Sequence, residues 1–298
     1  MADLERYSRQ ILYSNIGQEG QERLLSGRVI LIGCGALGSS IANLLVRAGV
    51  GHLTLVDRDF VELNNLQRQS LFDETDAAEA LPKAEAARRK LNRINSNVRI
   101  EAVVSDVHSE NIERLAVGHD ILLDGTDNFE TRYLINDVAV KHRIPWVYGA
   151  CVAGQGLVMP IIPQVTPCLR CVFETAPAQG TADTCDTVGV LGSVVQVVAS
   201  VQVMEAIKIL TGRQDAVLRA LLSVDLWEGR WRQVDLKDYR EKADCPACKQ
   251  GKFEYLSAQC GSRLVSLCGR NAFQIRSLST QTMDLEALRR RLSQSGEV

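Results

Sequence analysis

The run VILIGCGALGSS at residues 29–40 limits what this chain can fold into more than any other stretch. Four apolar residues, Val29 to Ile32, lead into Gly33, Cys34, Gly35, Ala36, Leu37 and Gly38. An apolar-periodic helix then runs toward Gly49. Strand, glycine turn and helix in this order open a nucleotide-binding α/β fold. Gly33 permits the tight turn, Gly35 lets backbone approach a phosphate, and Gly38 allows the helix to pack close on the strand. The phosphate rests on the helix N-terminus. Asp57 ends the second strand, HLTLVDRD, where an acid can hold ribose hydroxyls. The turn alone does not choose between a dinucleotide such as NAD, which would mean an oxidoreductase, and ATP.

The pattern continues as alternating strands and helices. Residues 3–25 read as a polar helical lead-in and 76–93 as an amphipathic charged helix. VRIEAVVSDV and HDILLDGTDN read as strands, TRYLINDVAVKHR as a helix, and IPWVYGACVAGQG as a strand and turn. Strands alternating with helices predict a Rossmann-like, mostly parallel sheet with helices on both faces. Beyond residue 150, prolines 160, 163, 167 and 177 break up a loop-rich stretch before an apolar helix near 190–210. One or two late strands follow at 221–239. The last fifty residues carry short strand candidates at SRLVSLCG and NAFQIRS and a closing helix at MDLEALRRRL. The expected division is a main domain over 1–250 and a small C-terminal extension over 251–298.

Thirty-four basic against 36 acidic residues give a net charge of −2, which argues against broad attraction to nucleic acid or acidic membranes. The apolar run 187–210 is interrupted by Gln196, Gln202, Glu205 and Lys208, each costly in hydrocarbon, so it reads as a core or interface helix. The N-terminus is polar, with no apolar signal segment. Nine cysteines in such a chain point to a reducing, cytoplasmic setting where thiols serve metals or catalysis.

Three groups of residues carry chemistry. DRDFVELNNLQRQSLF at 57–72 places Asp59, Asn64, Asn65, Gln67 and Arg68 just past the acid, and Lys83 follows on the next helix. A triphosphate losing pyrophosphate needs cations on the leaving group. Arg68 and Lys83 could supply two of them and Asp127 could hold a metal. The same charges would also serve as a solvated face. Cys168-Leu-Arg-Cys171 and Cys245-Pro-Ala-Cys248 are two C-x-x-C pairs, together a tetrahedral Cys₄ set suited to structural zinc. Four protein thiolates leave no open position for catalysis. Cys185 stands alone in the polar loop TADTCDTVGV, where it reads as an inert thiol or a nucleophile. Cys34, Cys151, Cys260 and Cys268 read as packing residues, and the four histidines suggest no ligand set.

RYSRQ at 6–10, GCGALG, DRDFVELNNLQRQ, Pro82-Lys83, DGTDN at 124–128, the two C-x-x-C pairs and TCDTVGV occur in order. Together they resemble the ThiF/MoeB/HesA family, bacterial relatives of the ubiquitin-activating enzymes, over about residues 3–250. The resemblance implies adenylation, with ATP and Mg²⁺, of the C-terminal Gly-Gly carboxylate of a small ubiquitin-like sulfur carrier. The pathway would be thiamine, molybdopterin or related sulfur transfer, and the enzyme a homodimer with a Cys₄ Zn²⁺ site. It places Gly33, Gly35, Ala36 and Gly38 against the nucleotide and Asp57 on the ribose. Asp59, Asn64, Asn65, Arg68 and Lys83 would contact phosphates or position ATP. Asp127 would hold Mg²⁺ with Asn128 beside it, and Arg9 would reach the γ-phosphate in the partner subunit's site. Cys185 falls where some members take up the activated carrier or sulfur.

The family also has branches acting on tRNA-bound threonylcarbamoyl groups or on peptides, and the core motifs do not separate them. The near-neutral charge weighs against tRNA. An NAD-dependent oxidoreductase would explain the glycine turn alone, and a scaffold without turnover would not need Arg9, Arg68, Lys83 and Asp127 intact.

Overall fold

The computed structural model describes residues 4–177 and 185–258, with short pieces beyond at 264–267, 272–275, 284, 286–287 and 289–291; the side chains of Cys185, Asp186 and the last two strands fall outside the description. Two compact units are present, Met1–Cys260 and Gly261–Val298.

In the first unit a 3₁₀ turn, Glu5–Tyr7, leads into α1 (Ser8–Ile11) and α2 (Gly17–Ser26), so the lead-in is broken near residues 12–16 rather than continuous. There follow β1 (Arg28–Ile32), α3 (Ala36–Ala48), β2 (His52–Val56), a 3₁₀ turn at Leu63–Asn65, α4 (Glu74–Ala78), α5 (Lys83–Ile94) and β3 (Arg99–Val103). Next come α6 (Ile112–Ala116), β4 (Ile121–Asp124), α7 (Phe129–His142), β5 (Trp146–Val152) and β6 (Gln155–Ile161). The unit continues with α8 (Leu169–Val172), α9 (Cys185–Val188), α10 (Gly192–Leu210), β7 (Ala220–Asp225), β8 (Arg230–Asp235) and α11 (Tyr239–Lys242). The single helix expected over 76–93 is two helices. Pro82 cannot sit inside a helix, so α4 stops at Ala78, Ala80 turns through φ +47°, and Pro82 caps α5.

All eight strands form one sheet in the order β3-β2-β1-β4-β5-β6-β7-β8. The pairings from β3 to β5 are parallel and those from β5 to β8 antiparallel. The sheet is therefore mixed, its parallel part carrying the expected Rossmann-like order and three antiparallel strands extending one edge. Two tight connections, at 153–154 between β5 and β6 and at 226–229 between β7 and β8, leave no room for the crossover a parallel neighbour needs. Because β1 lies between β2 and β4, the strand order reverses at the carboxyl ends of β1 and β4. That switch point is where open α/β sheets bind ligands.

Each face of the sheet carries its own core. One packs α3, α5 and α10 through Leu37, Ile41, Leu45, Leu91, Val195 and Val198. The other packs α6 and α7 with the cysteine-bearing segments through Ile112, Tyr133, Val138, Trp146, Cys168 and Cys245. Among the described residues, α10 alone is long and apolar enough to cross a membrane, and half of its most apolar stretch is buried within the protein. Its polar side chains are engaged there: Gln202 donates to the carbonyls of Asp124 and Val147, and Glu205 accepts from the amide of Leu218.

Segment 251–258 closes the first unit. The Tyr255 and Leu256 amides donate to the buried Asp137 carboxylate, and Glu254 pairs with Arg170 at 2.9 Å. The second unit contains β9 (Leu264–Leu267) and β10 (Ala272–Ile275), which pair antiparallel. Residues 286–287 and 289–291 are helical.

Candidate active site and metal centre

The glycine turn sits at the switch point. Gly33 has φ +89°, and a Cβ on it would lie 2.6 Å from the Gly125 carbonyl oxygen. A Cβ on Gly38 would lie 2.0 Å from the Gly33 carbonyl oxygen. Both positions are closed by backbone, so the DGTDN loop after β4 lies directly on the turn after β1. Gly35 is different, because a Cβ there would meet only the Gln69 amide nitrogen, at 3.9 Å. Gly35 is also the N-cap of α3, a thirteen-residue helix whose first amides receive no side-chain cap. Positive potential at that end suits an anion. Ala36 begins the helix, and its carbonyl accepts from Ser39 and Ser40.

A chain of polar contacts runs from the turn to α5. The Cys34 amide donates to Asp57 Oδ2 at 2.6 Å, and the Asp59 amide donates to Asp57 Oδ1 at 2.7 Å. Asp59 Oδ2 lies 3.5 Å from Lys83 Nζ, and the Lys83 amide donates to the Asp59 carbonyl. Burial pushes the Asp57 carboxyl above its ordinary range, while the Lys83 ammonium and the two backbone amides pull it back. The Cys34 thiol is fully buried, which pushes it up; this fits the packing role.

The loop after β2 supplies the next wall. Asn65 is buried, and its Oδ1 accepts from the Glu62 amide while its Nδ2 donates to Asn64 Oδ1. Arg68 is half-buried, and its Nη1 donates to the Asn64 carbonyl at 2.9 Å. A Cβ on Gly192 would stand 3.0 Å from the Gln67 carbonyl oxygen, so this loop also abuts the start of α10.

Asp127 is exposed in the DGTDN loop, and its carboxylate meets no hydrogen bond or ion pair among the described residues. It is thus a free hard-oxygen donor, the chemistry Mg²⁺ takes. Asn128 is occupied, because its Oδ1 caps α7 by accepting from the Thr131 amide at 2.8 Å. Two residues that sequence reasoning passed over hold this loop. Asp124 and Arg132 are buried and joined at 3.1 Å. Arg132 Nη2 also donates to the carbonyls of Thr126, at 2.7 Å, and Gly149, at 3.1 Å. Burial drives the Asp124 carboxyl up, opposed by Arg132; burial alone would lower the guanidinium, and Asp124, Tyr148 and Asp127 together raise it above its ordinary value.

One expected residue is not part of this cluster, and the side chain of another falls outside the described residues. Arg9 is exposed on α1, which attaches to the other end of α3: Gln10 donates to the Ala48 carbonyl. That end is roughly 20 Å along the helix from Gly35. Cys185 opens α9, but its side chain lies outside the described residues. The helix precedes a parallel bridge between Val190 and Ala153.

The four predicted ligand cysteines converge. Cys168 and Cys171 sulfurs are 3.8 Å apart, Cys168 and Cys245 3.5 Å, and Cys171 and Cys248 3.4 Å. All four lie within 4.8 Å of one another. Thiolates at ~2.3 Å from a tetrahedral ion stand about 3.8 Å apart, so the set fits a four-coordinate metal with soft ligands. The Leu169 amide, beside Cys168, donates to the buried Asn136 Oδ1 of α7, which anchors the first pair to the main core.

Residues 7–247 match the ThiF family. The chain is 46% identical over 292 residues to the sulfur carrier protein ThiS adenylyltransferase of Bacillus subtilis, covering 98% of this chain and 85% of that protein. It is 40% identical to the SAMP-activating enzyme E1 of Haloferax volcanii, covering 83% and 90%. Among solved structures, Escherichia coli MccB with ATP superposes with a TM-score of 0.70 at 21% identity, over 83% of this chain and 74% of that one, a likeness of fold.

Proposed function

The chain belongs to the ThiF family, and from that premise we propose that it is an adenylyltransferase that uses ATP to activate the C-terminal Gly-Gly carboxylate of a ubiquitin-like sulfur carrier. One structural observation carries the reading of the site. The Asp57–Asp59–Lys83 chain, the Arg68 loop and the Asp127 loop all abut the same glycine turn at the sheet's switch point. An NAD pyrophosphate is served largely by helix amides, which would leave Lys83, Arg68 and Asp127 without a task.

The carrier carboxylate attacks the α-phosphorus, the acyl–AMP bond forms, and pyrophosphate leaves with the bond's electron pair. A carboxylate is already a nucleophile, so no general base is needed. Rate comes from alignment and from charge neutralisation of the leaving group. The first amides of α3 seat a phosphate, Asp57 takes ribose hydroxyls, and Lys83 and Arg68 face the pyrophosphate oxygens. Asn64, Asn65 and Asp59 shape the loop that holds Arg68 and orient Lys83. Asp127 would hold Mg²⁺, which when bound neutralises phosphate charge. Mixing the protein with ATP, Mg²⁺ and a Gly-Gly carrier should give a carrier mass increased by AMP and an equivalent of pyrophosphate. No adduct with any such carrier contradicts the reading.

Zinc is the metal that the four cysteines would hold, as a closed structural site. The chain acts as a homodimer in which Arg9 serves the partner subunit's site. Support comes from its distance from Gly35 in its own chain and from exposed Leu12 and Tyr13 just beyond it. Cys185 takes up the activated carrier, its thiolate attacking the acyl carbon so that a thioester forms and AMP leaves with the electron pair: Cys185→Ala should retain pyrophosphate exchange and lose any covalent carrier adduct, and a retained adduct excludes this role. The near-neutral charge supports a protein rather than tRNA as partner, and the cysteine content supports a cytoplasmic setting. Residues 1–250 carry the chemistry, 251–258 remain with the same unit, and the appended unit is Gly261–Val298.

A further inference from the structure

Gln196 interrupts the apolar run of α10, and unlike Gln202 and Glu205 it does so on the exposed side of the helix. Its side chain is nevertheless engaged. Nε2 donates to Ser40 Oγ at 2.9 Å and to Ser70 Oγ at 3.0 Å, and the two hydroxyls stand 3.4 Å apart. Ser40 lies in the second turn of α3, and its hydroxyl donates to the Ala36 carbonyl at 3.3 Å. Ser40 can then accept from both Gln196 and Ser70, which matches both hydroxyls and both N–H groups of the carboxamide. One side chain thus joins α10, the first turns of α3 and the loop after β2. A second contact lies one turn earlier on the same face of α10. A Cβ on Gly192 would stand 3.0 Å from the Gln67 carbonyl oxygen and 3.6 Å from Arg68 Cα, so helix backbone rests directly on the residues that carry Arg68. Gly192 sets how close the loop comes, and Gln196 holds it at Ser70.

We infer that Gln196 is a positioning residue for Arg68, fixing the loop after β2 against α3 so that guanidinium and helix amides face one polyphosphate. The inference rests on the adenylation reading, in which Arg68 neutralises the leaving pyrophosphate. Gln196 acts through the loop and not on the reacting atoms. A carboxamide suits the task because two N–H groups on one nitrogen bridge two hydroxyls, whereas leucine keeps the bulk and loses both bonds. A loop that shifts by a fraction of an ångström weakens the transition state more than the bound nucleotide, since the departing pyrophosphate is what needs the cation aligned.

The test is carrier-dependent exchange of labelled pyrophosphate into ATP by the wild type, Gln196→Leu, Ser70→Ala and the double variant, with the ATP KM and melting temperature of each. Gln196→Leu should lower kcat about tenfold and leave the ATP KM within about twofold. Its melting temperature should hold, because Ser40 keeps its contacts with Ala36 and Ser70 and the lost side chain is exposed. Ser70→Ala should behave alike, and the double variant should be no worse than either single one, since both break the same tie. Full kcat in Gln196→Leu overturns the inference and leaves the adenylation reading standing. So do losses that multiply in the double variant, or early melting with a raised ATP KM, which mark independent or packing roles. A wild type that exchanges nothing with any Gly-Gly carrier overturns the adenylation reading and this inference with it.

Discussion

Replacing Arg132 by Met removes the one cation that neutralises the fully buried Asp124, while keeping an unbranched side chain of similar reach. Polar contacts to Asp124, the Thr126 carbonyl and the Gly149 carbonyl go, together with the guanidinium's cation–π contacts to the Phe129 and Tyr148 rings. Asp124 keeps the Thr126 amide at 2.9 Å and hydroxyl at 2.7 Å, with the Gly149 amide at 3.5 Å. Stripping one partner from a buried pair costs about 3–5 kcal/mol, because a charge is left without compensation. For a unit of this size that lowers the melting temperature by roughly 10 °C. The sign of the pH dependence follows from the carboxyl. Burial already raises Asp124 above its ordinary value, and losing Arg132 raises it further. The folded state then binds the proton more tightly than the unfolded state, so lowering the pH stabilises the variant. Urea unfolding followed by circular dichroism at pH 8 and pH 5.5 should show a smaller deficit at the lower pH. Adding Asp124→Asn should restore much of the loss. A deficit below about 1 kcal/mol, smaller than any buried pair broken on one side, would refute the reasoning. So would a deficit with no pH dependence and no rescue.

Gly35→Ala should fold normally and lose nucleotide binding in a filter or calorimetric assay, whereas Gly38→Ala, whose Cβ would meet backbone at 2.0 Å, should lose stability first. The buried Asp137 carboxyl is pushed up to about 6 by burial, against the two amides it accepts from. The folded state therefore takes up this proton first. The melting temperature of the wild type relative to Asp137→Asn should rise as pH falls from 7 toward 5, and a constant difference would contradict the assignment. Purified protein should carry one zinc per chain by elemental analysis, and Cys168→Ser or Cys245→Ser should lose the metal and several kcal/mol, on the order of what a structural zinc contributes to folding. Metal content near zero in protein never exposed to chelator removes the site.

The parallel half of the sheet was legible because β1, β2 and β4 are apolar runs that end in glycines and acids, and DGTDN marks a strand end as plainly as GCGALG does. The antiparallel half was not. IPWVYGACVAGQG reads as a strand and a turn, but whether the next strand returns beside it or crosses over depends on a two-residue connection. The four cysteines announced themselves by paired spacing even though 73 residues separate the pairs, since chemistry rather than proximity in sequence defines them. Arg132 stayed hidden: it looks like any charged residue in a helix until β4 brings Asp124 beneath it. Asn128, by contrast, reads as a site residue, but a residue before a helix caps it first.

Carrier-dependent exchange of labelled pyrophosphate into ATP tests the central claim most directly, because it requires reversible acyl–AMP formation and nothing after it. With a sulfur carrier ending in Gly-Gly, the wild type should exchange label in the presence of Mg²⁺. Exchange should vanish when the terminal glycine is deleted, and should fall by orders of magnitude in Lys83→Ala, which takes a cation from the leaving group. Exchange that proceeds without a carrier, or that survives Lys83→Ala unchanged, would contradict the account.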